Sequence, residues 1–335
     1  MSNTSKLTPE EKQTIFGQIE KDISKWQRQR RLRWYLAVSA AACIALLATI
    51  LYPSLSVHND IPEENLPIAA QDNVIDPKDI QLVLASNKTI TVVNDADISY
   101  DKQGEIVVNT ADEQIKTSKD MAEKIALNTL IVPKGKRSSL TLADGTKIWI
   151  NSGSTLKFPT EFKTKEREIW VEGEIYIEVK KDETKPFHVN TPHMQIEVTG
   201  TRFNVTAYNE DKEQSVVLVE GGVNVNVANE KVSLSPDHLL SVTGDKISTK
   251  RINVYDYISW KDGLLQFTSE PLSHILTRLS RYYDTPITCD EQVKDLKCNG
   301  KLVLFDNVED VLKTIYNTIP INYSINEGQI FIQKK

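Results

Sequence analysis

Residues 138–150 read SSLTLADGTKIWI. Asp144-Gly145 lies between two runs in which apolar and polar residues alternate. That dipeptide is the strongest hairpin signal in the chain, because both central residues of a type I′ turn need positive φ. Alternation with period two marks strands that bury one face, so this segment points to an antiparallel sheet.

The same alternation recurs outward on both sides, in TITVV (89–93), EIVVN (105–109), EIYIEV (174–179), QIEV (195–198) and VNVNV (223–227). Gly173, Gly200 and the pair Gly221-Gly222 punctuate these runs as candidate turns or bulges. The expectation is a mainly β domain over residues 127–250, an antiparallel sandwich or jelly-roll-like barrel, preceded by an extra β segment at 80–126.

After Asn253 the pattern changes. GLLQFT (263–268) reads as a strand, and Ser269-Glu270-Pro271 opens a helix carrying Leu272, Ile275, Leu276 and Leu279. PITC (286–289) and KLVLF (301–305) are strands, Asn307 caps a second helix with Val308, Val311, Leu312 and Ile315, and INYSI with QIFIQ closes a hairpin at Glu327-Gly328. The order β-α-β-β-α-β-β over 253–335 is a small α+β domain. Cys289 and Cys298 lie in it; as a disulfide they would close a ten-residue loop, worth roughly 2.5 kcal/mol on the chain-entropy account. Two free buried thiols are the alternative.

Upstream, WYLAVSAAACIALLATILY (34–52) runs without a charge. As a helix it covers roughly the ~30 Å of a bilayer core. Lys25, Arg28, Arg30, Arg31 and Arg33 precede it, whereas no basic residue follows until Lys78. That imbalance places the N-terminus in the cytoplasm and the bulk of the chain outside it. A cleaved signal peptide usually has a shorter apolar region, and a lipoprotein reading of Cys43 conflicts with the apolar residues that follow it. A linker with Pro53, Pro62, Pro67 and Pro77 spans 53–79.

The segment before the span, 1–33, has a helix-start signature in Thr8-Pro9-Glu10-Glu11. Ile15, Ile19, Ile23 and Trp26 then recur at helical spacing as one apolar stripe. An isolated helix of this kind is marginal in water, so the stripe needs a surface to lie against: a partner protein, a second copy or the membrane. A solvated juxtamembrane spacer is the plain alternative.

The 335 residues are 40% hydrophobic and 26% charged with a net charge of −6. This excludes a disordered chain, a bundle of membrane spans and a strongly basic nucleic-acid binder. The first 33 residues carry +4, which leaves −10 for the rest.

No nucleophile elbow, phosphate-binding glycine loop, HExxH or CxxC occurs. The five histidines are scattered, and His188 and His193 read as strand-surface residues rather than ligands. Glu172, Glu174 and Glu178 are spaced for one strand face, where they could mimic a glycosidase carboxylate pair, but as solvated residues they need no second role. Neither a metal, a cofactor nor an enzymatic reaction is expected. Trp149, Trp170 and Trp260 suit either a sugar-binding aromatic platform or the core, since apolar strand residues flank each.

Residues 127–245 resemble the FecR family of transmembrane anti-sigma regulators. The pieces LIVPKGKRSSLTLADGTKIWINSGSTLKFP (130–159), REIWVEGEIYIEVKKDETKPFHV (167–189), IEVTGTRFNVTAY (196–208) and VVLVEGGVNVNV (216–227) come in family order. The tail is similar to the family's C-terminal domain, which resembles the short signalling modules of TonB-dependent transporters and secretins.

This resemblance implies a single-pass protein of the inner membrane of a Gram-negative bacterium, with its C-terminal bulk in the periplasm. It further implies a cytoplasmic extracytoplasmic-function sigma factor as partner of Ile15, Ile19, Ile23 and Trp26. The periplasmic partner would be the N-terminal signalling domain of a TonB-dependent, SusC-like transporter for polysaccharide or iron, and regulatory proteases could act on the span. Members often have a longer cytoplasmic domain than the 33 residues here. Some are nicked at a Gly-Thr bond, which Gly200-Thr201 matches; a glycine bulge before an ordinary strand threonine is the alternative. A reading of another class is a membrane-tethered periplasmic glycan-binding or envelope-scaffold protein with no sigma-factor partner.

Overall fold

The computed structural model describes residues 78–101, 105–109, 114–117, 127–228, 230–304 and 307–335. The expected N-terminal helix with Ile15, Ile19, Ile23 and Trp26, the span 34–52 and nearly all of the linker lie outside the described residues. Among the described residues no helix is long and apolar enough to cross a membrane.

Among the described residues eighteen strands form two layers. The first sheet runs β2 (Thr89–Val92), β1 (Ile80–Val83), β6 (Leu127–Val132), β9 (Ser154–Pro159), the first half of β10 (Arg167–Glu178), β11 (Phe187–Asn190), β12 (Gln195–Val198), β15 (Val223–Val227) and β16 (Glu230–Leu234). The second runs β5 (Gln114–Thr117), β4 (Ile106–Asn109), β3 (Asp97–Tyr100), β7 (Ser138–Thr141), β8 (Lys147–Ile150), the second half of β10, β13 (Arg202–Ala207), β14 (Glu213–Glu220), β17 (His238–Thr243) and β18 (Lys246–Arg251). All pairings are antiparallel except β3 with β7 and β10 with β11. Leu130, Leu156 and Ile196 of the first sheet share one buried core with Leu140, Ile148 and Phe203 of the second, so the expected sandwich is the observed one.

β10 belongs to both layers. Val171 and Glu172 pair with β9, whereas Gly173 onward pairs with β13. The chain passes from one sheet to the other at Gly173, whose φ is +114°. A Cβ there would stand 2.3 Å from Ser154 Oγ and 2.6 Å from Ser154 Cα. Only glycine meets both conditions.

The hairpin at Asp144-Gly145 forms, but as a different turn. Leu142 N donates to Thr146 O at 2.9 Å, which leaves a three-residue loop, and only Gly145 has positive φ, +87°. Asp144 is used instead as an acceptor, taking Thr146 N at 2.9 Å and Arg167 Nη1 at 2.8 Å. Arg167 is 2% exposed and also donates to Lys180 O at 2.8 Å and Lys185 O at 3.0 Å. Its inward position follows from parity with Ile169 and Val171 on β10.

The C-terminal part has the expected β-α-β-β-α-β-β order: β19 (Leu264–Pro271), a helix Leu272–Tyr283, β20 (Ile287–Cys289), β21 (Lys297–Val303), a helix Val308–Thr318, β22 (Ile321–Asn326) and β23 (Gln329–Lys334). β19 pairs with β21, and β23 lies between β20, parallel to it, and β22, antiparallel. The two helices bury Leu272, Ile275, Leu276 and Leu279 against Val311, Leu312 and Ile315 in a separate core. Asn307 caps the second helix, its Oδ1 accepting from Asp310 N at 3.0 Å. Ser269-Glu270-Pro271 does not open the first helix. These residues continue β19 past a bulge, with Glu270 opposite Cys298, and the helix begins at Leu272.

Candidate functional site

Between the two cores lies a junction that the hydrophobic pattern alone does not reveal. A single helical turn, Tyr255–Ile258, and a 3-10 turn, Ser259–Asp262, lie against the outer face of the second sheet, where Ile258 and Trp260 join Tyr176, with Trp149 and Val219 packed beside them. Residues 253–262, expected as the start of the C-terminal domain, thus bury their apolar side chains on the β sandwich, while the C-terminal core begins at Leu265.

Trp260 is 4% exposed and its Nε1 donates to Asn204 Oδ1 at 3.2 Å. Asn204 Nδ2 in turn donates to Glu174 Oε1 at 3.0 Å, while Asn151 Nδ2 donates to Glu174 Oε2 at 2.7 Å. The side-chain polar atoms of Trp260, Asn204, Glu174 and Asn151 all have partners, as a semi-buried network requires. On the other side of the turn, Gln266 donates through N to Ser259 Oγ at 3.0 Å and through Nε2 to Asp256 Oδ1 at 2.8 Å. Burial pushes the Tyr257 hydroxyl up to about 12, so it stays neutral through the physiological range.

A second clamp comes from the helix Leu272–Tyr283. Arg281 makes a two-pronged ion pair with Asp211, Nη1 lying 2.9 Å from Oδ2, and its Nε is 3.4 Å from Glu210 Oε1. Its guanidinium stacks 3.9 Å over the buried Tyr208 ring, and Gly135 N donates to its carbonyl at 3.0 Å. Burial works against the Arg281 charge, yet the Asp211 carboxylate more than offsets this and holds its pKa above the usual range. Arg137 lies 4.0 Å over the Tyr282 ring beside it. Bidentate and stacked geometry is where Arg is not replaceable by Lys. These contacts couple the C-terminal domain to the loops β6–β7 and β13–β14.

The other sequence-derived candidates fall elsewhere. Glu172 points to the outer side of the first sheet, because the crossing at Gly173 separates it from Glu174 and Glu178 on the second. Glu174 and Glu178 lie four residues apart on one strand, about 13 Å, and no paired acid site results. His188 is buried rather than at the strand surface, with Nε2 3.6 Å from Glu166 Oε2, while His193 is exposed. Cys289 and Cys298 are free thiols on strands of different sheets, so the ten-residue disulfide is not formed. Burial raises both pKa values, which makes neither an activated nucleophile. Among the described residues no group of His, Cys, Asp and Glu is arranged to hold a metal.

Gly200 and Thr201 line a cavity of about 410 Å³ with Lys147, Glu178, Arg202 and Glu220. Those four alternate in charge across β8, β10, β13 and β14 and neutralise one another. Gly200 has φ +157°, and a Cβ would meet Lys181 Cα at 2.7 Å. Thr201 is 3% exposed and its Oγ1 donates to Gly222 O at 2.8 Å. Attack on the Gly200 carbonyl needs that hydroxyl released first. The purified chain is therefore predicted to run as one band on a denaturing gel; two fragments meeting at Gly200-Thr201 would contradict this.

The model of the FecR protein family matches residues 128–224, and that of the FecR C-terminal domain matches residues 264–332. Two crystal structures of a candidate anti-sigma factor from Parabacteroides distasonis ATCC 8503, at 2.50 and 1.65 Å resolution, are 32% and 31% identical, each with a TM-score of 0.58. Each alignment covers 62% of this chain and 99% of the crystallised one. No curated protein matches the chain. This chain belongs to the FecR family.

Proposed function

We propose that the chain is a sigma-factor regulator that relays a signal across the inner membrane. The observation that carries this reading is the pairing of a FecR domain with a FecR C-terminal domain in a chain that aligns with nearly all of the crystallised chain of a candidate anti-sigma factor. In this account residues 34–52 form the span, and the described residues stand on the periplasmic side. The stripe Ile15, Ile19, Ile23 and Trp26 docks on an extracytoplasmic-function sigma factor in the cytoplasm.

The periplasmic input is the signalling domain of a TonB-dependent transporter for polysaccharide or iron, received by the C-terminal domain. Its three-stranded sheet supports this, because β22 is an edge strand, and Ile325 at 45% and Phe331 at 41% are unusually exposed for their types. An edge with apolar neighbours suits strand addition. Signal passes by differential binding: the transporter favours one state of the exterior, and that state changes how available the helix is to the sigma factor or to proteases that cut near the span.

The experiment is capture of the sigma factor by the detergent-solubilised full chain. Wild type retains it, whereas Ile19→Asp with Trp26→Ala lowers affinity at least a hundredfold, since a charge is placed in a desolvated apolar contact. Equal capture by the two proteins would remove the docking claim.

A further inference from the structure

The junction packs on the second sheet and does not cover the outer face of the first. One row across it reads Lys157, Trp170, Asn190, Gln195, Asn226 and Lys231, on successive strands β9, β10, β11, β12, β15 and β16. Trp170 is half-buried and alternates with the inward Ile169 and Val171. Gln195 Nε2 donates to Asn190 Oδ1 at 3.1 Å, and Asn226 Nδ2 donates to Gln195 Oε1 at 3.3 Å. In the next row Ser233 Oγ donates to Asn224 Oδ1 at 2.7 Å.

We infer that this row is a binding platform for a neutral oligosaccharide. Sugars present an apolar C–H face and a rim of hydroxyls that each donate and accept. An indole supplies the ring that stacks on the first. Carboxamides supply donor and acceptor together for the second, and each has more capacity than the contacts within the row use. The mutual bonds hold the three amides in fixed orientations, so little side-chain entropy remains to be lost on binding. With strands about 4.8 Å apart, Trp170 and Asn226 stand about 14 Å apart, the length of a short oligosaccharide.

The chemistry argues against other ligands. The row is too polar for the apolar centre of a protein interface. Its cations stand only at the two ends, and Lys231 Nζ is 3.5 Å from Glu197 Oε2, so there is no track for phosphates. The site is independent of the relay reading; together they would let the exterior sense a glycan directly.

The test is affinity electrophoresis of the full chain in a detergent without a sugar headgroup, through gels containing glucan, mannan, xylan, galactan or fructan. At least one of these is expected to retard the wild type. Trp170→Ala then weakens retardation at least tenfold, Gln195→Ala with Asn226→Ala at least threefold, and Trp170→Tyr retains most of it. The double amide variant alters only outer-face side chains, so its loss cannot be ascribed to unfolding. Sigma-factor capture by these variants stays at the wild-type level, which separates the platform from the relay. No retardation by any of the five polymers, or equal retardation of wild type and both truncating variants, overturns the assignment.

Discussion

Gly173→Ala is expected to prevent the β domain from reaching its native state at physiological temperature. The added Cβ would meet both the side chain and the backbone of Ser154, at 2.3 Å from Oγ and 2.6 Å from Cα, and the φ of +114° is one that alanine rarely adopts. Backbone strain of this kind costs about 1–3 kcal/mol and overpacking about as much again. Their sum, roughly 2–6 kcal/mol, approaches the whole stability of many domains. Because Ser154 Oγ also accepts from Glu174 N at 2.9 Å, the clash falls where the strand changes sheet and cannot be relieved by a rotamer change alone. Thermal unfolding of the solubilised chain followed by near-ultraviolet circular dichroism should show a midpoint lowered by 10 °C or more, or no cooperative transition; an unchanged midpoint would mean the crossing is looser than described.

Trp260→Ala should cost about 3–5 kcal/mol, the usual range for deleting a buried aromatic. The loss falls on the junction and not on either core, since Trp260 packs with Tyr176 and Ile258 and anchors Asn204. With Trp260 gone, the attachment of the C-terminal domain to the sandwich rests mainly on the Arg281–Asp211 clamp and the contacts beside it, Arg137 over Tyr282 and Gly135 N to the Arg281 carbonyl. Limited proteolysis is expected to cut variant chains between residues 252 and 264 at least tenfold faster than wild type, with both flanking cores surviving as stable fragments. Fragments of uniform small size would instead mean that the cores unfold together. In the relay account the same variant uncouples transporter occupancy from target-gene output.

Local rules made parts of this molecule readable. Alternation located β8, β10, β12 and β15, and the helix stripes Leu272-Ile275-Leu276-Leu279 and Val311-Leu312-Ile315 are the buried faces seen. Asp144-Gly145 gave the hairpin but not its geometry, because Asp144 is held by Arg167 from twenty-three residues away. The reading of Glu172, Glu174 and Glu178 as one face failed because parity is kept only within a sheet, and Gly173 hands the strand to another. The parallel pairings of β3 with β7 and of β10 with β11 join segments whose sequences carry no mark of each other. The Arg281–Asp211 pair spans seventy residues and looks, in sequence, like two ordinary surface charges. Trp260 was readable as core; that its core lies on the sandwich rather than in its own domain was not.

The most direct test of the relay account is the membrane topology of the living chain. A phosphatase that is active only outside the cytoplasm, fused after residue 79, should be active, while the same enzyme fused after residue 30 should be silent. Activity in the opposite pattern, or a mature chain whose first residue lies beyond Tyr52, would leave no path from the β sandwich to a cytoplasmic sigma factor and would contradict the proposal.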